Sequence, residues 1–316
     1  MYTRKQNKTS ARKGCRIELT KFDFNIKVSI DRLTIVASYD PVAFEKQMLE
    51  LTKQRFCTNS GAGFQLLDTS QLVSDSAGDD IPLEQVAYLE VLKFDEHKIR
   101  IDFNPNHGMK SDAGVWLSDF IKRLTDKHYS RCDVAFDIFD YEPAKDYQVW
   151  QWGSSKKVWF GRDGKMETTY YGSPASNKQI RQYNKLVEQK RKGKDVVNHD
   201  SWWRIELQLR GNKIQDYPKI VKEMLENFYL PDYAGIPDPA TRAMVYTLLH
   251  DSSFYGSLGR TTKFKYRKLL REISHSNDLS VAMAQKFVEQ FEYLENELQL
   301  MMRRFNIQAT ENDGII

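Results

Sequence analysis

The chain has 316 residues, enough for one large domain or for a large domain with a smaller one, and its formal net charge is only +4. This charge excludes a uniformly basic protein, so any positive charge that matters for function must be local. The odd count of three cysteines, without metal-ligand spacing, favours reduced thiols, and no apolar run approaches the ~20 residues that cross a bilayer. We therefore predict a cytoplasmic protein without membrane contact.

Strand-like and helix-like patterns follow one another in the first part of the chain. Residues 1–14 are polar and basic, which predicts a disordered arm. After it, alternation of apolar and polar residues indicates strands, and apolar residues three or four apart indicate helices. The predicted elements are a strand at 31–38, a helix at about 41–51, a long turn at about 68–80, a strand at 98–103 and a helix near 113–126.

The second part begins with further strands and ends with helices. The patterns predict strands at 130–138, 178–184 and 204–210, and a hairpin over about 158–171 that turns at 161–164. Beyond about residue 212 the composition becomes helical. An amphipathic helix that packs on the body or on a partner is predicted by apolar residues at steps of three or four: Leu279, Met283, Phe287, Phe291, Leu294, Leu298, Met301 and Phe305.

Half-polar strands separated by turns and amphipathic helices predict an α+β fold. Its centre would be an antiparallel or mixed sheet with one polar face, flanked by helices and followed by a helical C-terminal part. Strand parity places Asp133 and Asp137 on one face of their strand, and Arg204 and Glu206 on one face of theirs. Arg181 and Tyr183 share a face if residues 178–184 are extended. If these strands are neighbours, one face of the sheet carries carboxylates, arginines and one tyrosine together.

Residues 180–185 read Ile-Arg-Gln-Tyr-Asn-Lys and place Tyr183 between two cations. A phenol among cations is suited to attack a phosphodiester. A free phenol has a pKa near 10, so roughly one molecule in a thousand is ionised at pH 7, and recovering that factor takes about 4 kcal/mol from a cation or a general base. Arg181, Lys185 and Arg204 could supply positive charge. The alternative is an ordinary strand tyrosine, one of sixteen in the chain.

Carboxylates on the same face could hold a hard divalent cation, Mg²⁺ or Mn²⁺. Residues four apart on a strand are about 13 Å apart, so Asp133 and Asp137 cannot both bind one ion. A metal site would use one of them, most simply with Glu206. The alternative is that these carboxylates form ion pairs with Arg204 and Arg131 on a solvated face. Scattered histidines and the lack of a Gly-rich phosphate loop exclude a histidine-bound metal and ATP hydrolysis.

A basic segment with interleaved aromatic residues covers 260–271. Cations bind phosphate regardless of sequence, and aromatic rings can stack on bases. The alternative is the basic solvated face of a helix packed on a core. The residues predicted to contact DNA are Arg260, Lys263, Lys265, Tyr266, Arg267, Lys268 and Arg271.

Taken in order, several segments resemble the replication-initiator family of rolling-circle plasmids, the nicking-closing Rep proteins, to which relaxases of some integrative conjugative elements also belong. The resemblance covers about residues 30–275. It is carried by the order of the segments 31–36 (DRLTIV), 100–106 (RIDFNPN), 131–137 (RCDVAFD), 160–165 (FGRDGK), 167–168 (ET), 171–173 (YGS), 180–185 (IRQYNK) and 203–207 (WRIEL).

This resemblance implies an enzyme that nicks and rejoins DNA through a 5′-phosphotyrosine. The family's nucleophile corresponds to Tyr183, and its metal ligands correspond to Asp133 or Asp137 and to Glu206. It also implies a homodimer, origin DNA with a hairpin and a single-stranded nick site, and a host replicative helicase of the PcrA/UvrD type. Gln182 stands where relatives carry an apolar residue, so we expect that strand to be less buried here.

The same resemblance divides the chain into three parts. Residues 15–212 would form the catalytic domain after the arm at 1–14, and residues 213–316 would serve origin recognition and packing or dimerisation. Other functions remain open: a relaxase of a conjugative element, a non-catalytic origin-binding replication protein, or a nucleic-acid-binding domain without sequence choice.

Overall fold

The structure, a computed structural model, describes residues 23–307 apart from 54–56, 70–82, 151–154, 195, 197 and 274. The predicted arm at 1–14 and nearly all of the predicted turn at 68–80 lie outside these residues. The helices of the described part are α1 (Pro41–Lys53), α2 (Asp112–Arg123), α3 (Lys185–Arg191), α4 (Tyr217–Glu226), α5 (Pro239–His250), α6 (Arg260–Glu272) and α7 (Asp278–Phe305).

The strands form one large sheet and one small one. They are β1 (Asn25–Ser38), β2 (Cys57–Ser60), β3 (Gly63–Asp68), β4 (Glu84–Leu92), β5 (Asp95–Phe103), β6 (Thr125–Phe139), β7 (Gln148–Val149), β8 (Lys156–Phe160), β9 (Met166–Tyr171), β10 (Lys178–Asn184), β11 (Trp202–Arg210), β12 (Phe228–Pro231) and β13 (His275–Ser276).

The large sheet has the order β2-β3-β4-β5-β1-β6-β11-β10-β9-β8, and its neighbouring strands are antiparallel. The small sheet has the order β13-β12-β7. A large antiparallel sheet with helices confirms the predicted α+β class. The predicted β8–β9 hairpin is present, and Gly164 has a positive φ of 74° in its turn, a conformation that glycine adopts without strain.

The core lies against the apolar face of the large sheet. Val134, Phe136 and Ile138 of β6 are fully buried there, as their alternation predicts. Helix α7 packs on this face, where the ring of Phe305 lies 5.3 Å from that of Phe103 of β5, edge to face. The apolar residues predicted for α7 are buried except Phe291, which is 37% exposed. The helix therefore packs on the body of the protein.

Helix α2 is shorter than predicted, because it ends at Arg123 and β6 begins at Thr125. Leu124 continues the apolar spacing and is buried, but its backbone is already extended, with φ of −72° and ψ of 156°. The sequence pattern reports burial, which continues past the last helical residue, so the pattern overestimated the length of the helix.

The expectation that Gln182 makes its strand less buried is wrong. Gln182 is 1% exposed, and its amide nitrogen donates to the carbonyl oxygens of Ala144 at 2.9 Å and Tyr147 at 3.0 Å. Its amide oxygen accepts a hydrogen bond from the Tyr171 hydroxyl at 3.0 Å. The polar side chain is buried because each of its groups has a partner in the segment that covers β10 or on the neighbouring strand.

A second cluster of buried residues lies in the C-terminal part and joins α5 to α6. Val245 and Leu249 of α5 pack with Tyr266 and Leu270 of α6 and with Ile273. Helices α4 and α7 belong instead to the main core beneath the sheet. The domain boundary at residue 212 stays a prediction.

Candidate active site around Tyr183

The polar face of the large sheet carries a cleft of about 440 Å³. Its lining residues come from β4, β5, β1, β6, β11 and β10, and from α3 and the residues that follow it. The register pairs Tyr183 of β10 directly with Arg204 of β11, and Arg181 with Glu206. Because directly paired residues of antiparallel strands point to the same face, these four side chains lie together, as strand parity predicted.

Tyr183 is only 2% exposed and lies between a carboxylate and an ammonium group. Its hydroxyl donates to Glu206 Oε2 at 3.4 Å, and Lys185 Nζ donates to its hydroxyl oxygen at 3.3 Å. The guanidinium carbon of Arg181 lies 3.9 Å from the centre of its ring. Burial, together with the negative charge of Glu206, raises the pKa of Tyr183 above its usual value. The phenol is therefore protonated near neutral pH, with a carboxylate positioned to accept its proton.

Lys185 enters the cleft because β10 ends there and α3 begins. Asn184 caps the helix, since its side-chain oxygen accepts a hydrogen bond from the backbone N–H of Val187 at 3.0 Å. Lys185 Nζ also forms an ion pair of 2.6 Å with Glu188 on the next turn. Burial lowers the pKa of Lys185, and the positive charge of Arg204 lowers it further. This ammonium group is poorly solvated and close to the Tyr183 hydroxyl.

Arg204 is held rigidly by two carboxylates. Its Nε and Nη2 each donate to Asp137 at 2.7 Å, and its Nη1 donates to Asp31 at 2.5 Å. Trp202 Nε1 donates to the same Asp137 at 2.6 Å. Both carboxylate oxygens of Asp137 are thus occupied, which matches the ion-pair alternative for this residue and leaves it poorly placed to bind a metal.

Asp133 also matches the ion-pair alternative, with Arg131 as its partner. It is 1% exposed and accepts two hydrogen bonds from Arg131, at 2.7 Å and 2.5 Å. Burial raises its pKa to about 7, against the effect of Arg131, and the negative charge of Glu206 adds to the rise. Its strand pairing places it opposite Gln208, so it is diagonal to Glu206 on the same face.

The two carboxylates of Asp133 and Glu206 fit a magnesium-like ion better than a closed metal cage. Within the described residues there is no group of three or more His, Cys, Asp or Glu side chains arranged to hold a metal. Mg²⁺, however, commonly takes one or two protein carboxylates and completes its coordination with water and phosphate oxygens.

Two residues of the cleft were missed from the sequence. Glu188 could have been found, because it follows Lys185 by three residues at the start of a helix, a spacing at which opposite charges meet. Asp31, which accepts from Arg204 at 2.5 Å and from the Asn104 amide at 3.2 Å, carries no such local signal, because both contacts cross between distant strands.

The predicted DNA-contact segment is helix α6. Its Arg260, Lys265, Arg267 and Lys268 are exposed, whereas Lys263 is partly buried and donates to the carbonyl oxygen of Gly256 at 3.4 Å. The prediction that Tyr266 contacts DNA needs a correction, because its ring is 8% exposed and packs in the second core cluster. Phe264, 71% exposed, is the aromatic residue on the solvent face.

The relatives of this chain among known proteins are described as replication initiation proteins. Two replication initiation proteins of Staphylococcus aureus are each 31% identical to this chain, over 229 and 230 residues that make up 71% of this chain and 71% of theirs. A third from the same organism is 33% identical over 198 residues, which are 61% of this chain and 62% of that protein. No protein-family model matches the chain.

Among solved structures, a rolling circle replication initiator protein from Geobacillus stearothermophilus aligns with 65% of this chain and 87% of its own, at 15% identity and a TM-score of 0.37.

No helix of the described residues is long and apolar enough to cross a membrane.

Proposed function

The chain belongs to the family of replication initiation proteins, and from this premise we propose that it starts rolling-circle replication by nicking one strand of its origin DNA. The nick would leave the DNA joined to Tyr183 through a 5′-phosphotyrosine. The observation that carries the proposal is the position of the Tyr183 hydroxyl, 3.4 Å from the Glu206 carboxylate and 3.3 Å from the Lys185 ammonium.

In the proposed reaction, the hydroxyl oxygen of Tyr183 attacks the scissile phosphorus while Glu206 accepts its proton. The new bond joins the tyrosine oxygen to phosphorus, and the bond from phosphorus to the 3′ oxygen breaks. That oxygen takes a proton from water and becomes the 3′-hydroxyl that a polymerase extends. Rejoining is the reverse attack of a 3′-hydroxyl on the phosphotyrosine. The long contact of 3.4 Å is typical of catalytic hydrogen bonds before substrate is bound.

The cations of the cleft have separate tasks in this proposal. Lys185 stabilises the negative charge that grows on the tyrosine oxygen as its proton leaves. Arg181 is assigned to the phosphoryl oxygens, because its buried Nε has no hydrogen-bond partner among the described residues. Arg204 is a positioning residue, since its guanidinium is fully engaged by Asp137 and Asp31 and sits beside Tyr183 in the register.

We also propose that the activity requires Mg²⁺ or Mn²⁺. Asp133 and Glu206, which both line the cleft, are the residues that would hold the ion, and the ion would replace a hydrogen bond of Arg131 on Asp133. Asp137 is left out because it is not among the lining residues and its oxygens are bound by Arg204 and Trp202. The bound ion would supply Lewis-acid stabilisation to the phosphoryl oxygens.

The remaining parts of the proposal concern partners. The substrate would be plasmid origin DNA that presents a hairpin and a single-stranded nick site, with the exposed cations of α6 binding further phosphates. A homodimer and a host helicase of the PcrA/UvrD type are the expected partners, in keeping with the family resemblance of the sequence. A conjugative-element relaxase would use the same chemistry at a different origin.

The test is to incubate the protein with Mg²⁺ and a supercoiled plasmid that carries its origin. We expect a nicked plasmid and a protein–DNA adduct that survives denaturation, and neither with Tyr183→Phe. Tyr170→Phe is the matched control, because Tyr170 lies one strand away on the same face, paired with Arg181. An adduct formed by Tyr183→Phe would refute the proposed nucleophile. Origin binding by the wild type without any nick would identify a non-catalytic initiator instead.

A further inference from the structure

The polar face of the sheet continues beyond Tyr183 to the edge of the sheet. Strand β9 separates β10 from β8, which is the last strand on this side. The register pairs Tyr183 with Thr168 of β9, and Thr168 with Trp159 of β8. A second row of paired residues runs beside it, with Arg181 opposite Tyr170 and Tyr170 opposite Lys157. Because paired residues point to the same face, Trp159 and Lys157 lie on the face of the nucleophile.

Trp159 differs from an ordinary exposed apolar residue in its surroundings. Its side chain is 53% exposed although it belongs to a paired strand. The ammonium of Lys157 lies 4.6 Å from the centre of its ring, so the ring is flanked by a cation. The neighbouring Val158 and Phe160 line a separate pocket with Gln182 and Trp203, on the other side of the hairpin.

We infer that Trp159, with Lys157 beside it, is a stacking platform for an unpaired nucleobase next to the scissile phosphate. The inference rests on the proposed function, because it assigns the phosphate to the cleft at Tyr183. Two strand spacings of about 4.8 Å separate the two residues, roughly 10 Å in all, so the base and the phosphate belong to the same stretch of DNA.

The chemistry of the platform favours single-stranded DNA. An exposed indole ring offers a face on which any base can stack, and the stacked base must be free of its complement. Lys157 supplies positive charge for the adjoining backbone phosphate and adds to the positive charge of Arg181 and Lys185 on the same face. A duplex keeps its bases stacked on each other and gains nothing from the ring. The platform would therefore help to hold the nick site in its unpaired form.

The experiment measures binding of a fluorescent oligothymidylate of roughly 12 nucleotides, and of an abasic strand of the same length with the same phosphates. All proteins carry Tyr183→Phe so that no covalent adduct forms. We expect Trp159→Ala to weaken binding of oligothymidylate about tenfold and binding of the abasic strand less than about twofold, in the range of base–aromatic stacking. Trp159→Phe, which keeps an aromatic face, should stay within about threefold of its parent.

Phe160→Ala is the matched control, because Phe160 is 59% exposed on the same hairpin but belongs to the opposite side. It should leave both affinities unchanged. The inference is overturned if Trp159→Ala binds oligothymidylate as tightly as its parent, or if it weakens binding of the abasic strand equally. An equal effect of Phe160→Ala would assign the change to the hairpin as a whole and would also overturn it.

This outcome is separate from that of the proposed function. A wild-type protein that forms no nick and no adduct refutes the nicking reaction, yet the difference between the base-containing and abasic strands can still be measured. Conversely, normal nicking together with an unaffected Trp159→Ala refutes the stacking platform alone.

Discussion

The replacement Glu206→Gln tests how the buried tyrosine is activated. The variant keeps the size of the side chain and can still accept a hydrogen bond from Tyr183, but it cannot take the proton. If Glu206 is the general base, nicking at pH 7 should become slower by about 10²–10³-fold, the usual contribution of a positioned base.

The structure also predicts the shape of the pH dependence. Burial and the charge of Glu206 both raise the pKa of Tyr183, so less than roughly one phenol in a thousand is ionised at pH 7. Neutralising Glu206 removes one of these causes, so the pKa of Tyr183 is lower in the variant. Without a base, the reaction must use phenolate formed in solvent. Its rate should rise about tenfold for each unit of pH, a dependence on phenolate concentration that the wild-type protein with its base does not share.

The assay is the single-turnover rate of adduct formation on a single-stranded nick-site oligonucleotide, from about pH 6 to pH 9. Because Glu206 is also a proposed metal ligand, Asp133→Asn serves as the comparison. It alters the other proposed ligand but not the hydrogen bond of Tyr183, so it should raise the Mg²⁺ concentration needed for half-maximal rate without producing the tenfold rise per unit of pH expected of Glu206→Gln. A Glu206→Gln variant with wild-type rate and profile would refute the assignment of the base.

Three further predictions concern stability and DNA binding. Gln182→Leu should lower the free energy of unfolding by roughly 2–4 kcal/mol in urea titrations, because it removes the buried hydrogen bonds of the Gln182 amide to the carbonyl oxygens of Ala144 and Tyr147 and to the Tyr171 hydroxyl. Unchanged stability would show that this network is not required. Burial lowers the pKa of Lys156 to about 8. Between about pH 8 and the usual pKa of 10.5, the Lys156 ammonium has lost its proton in the folded state but keeps it in the unfolded state, so the free energy of unfolding rises with pH. Lys156→Met should be more stable than wild type at pH 7, and the difference in free energy of unfolding between the two should shrink by up to roughly 3 kcal/mol toward pH 10.5. A difference independent of pH would contradict the lowered pKa of Lys156. Lys265→Ala with Arg267→Ala should flatten the plot of log affinity for origin DNA against log salt by roughly 1.8, about 0.9 for each phosphate that is no longer neutralised, and an unchanged slope would remove α6 from the interface.

Much of the site could be predicted because the alternation of a strand is local information. The polar positions of β6 and β11 had to share a face with each other if the strands were neighbours, and they are neighbours. Parity therefore located Asp133, Glu206 and Tyr183 on one surface. The proposed role of the tyrosine comes from the ordered family segments, because parity alone does not suggest it.

The sequence left open whether these carboxylates bind a metal or pair with Arg204 and Arg131, and the pairing with Arg204 depends on the register between strands that are distant in sequence. Asp137 lies opposite Arg204 and is bound by it, whereas Asp133 lies two residues along β6 from Arg131 and is bound by that residue instead. A shift of the register by two residues would move Arg204 away from Asp137 and would leave the sequence patterns unchanged.

The sequence also did not show which side chains are covered by segments distant along the chain. Gln182 looked like a sign of exposure, yet the stretch from Ala144 to Tyr147 lies over it and supplies carbonyl acceptors. Tyr266 belonged to a basic segment, yet the packing of α5 against α6 placed its ring in a core. In both cases, the side chain alone does not decide its environment; the element packed against it does.

The network of paired charges in the cleft determines which variants are informative. Arg204 is bound to Asp137 and Asp31, Arg131 to Asp133, and Lys185 to Glu188. Removing one member of a buried pair leaves the other without its partner, and such a change commonly destabilises a protein by about 3–5 kcal/mol. An alanine at one of these positions could abolish nicking by unfolding the site. Tyr183 and Glu206 are bound to each other by a single long hydrogen bond, so Tyr183→Phe and Glu206→Gln change the chemistry and leave the ion pairs intact. These two replacements separate the reaction from the fold.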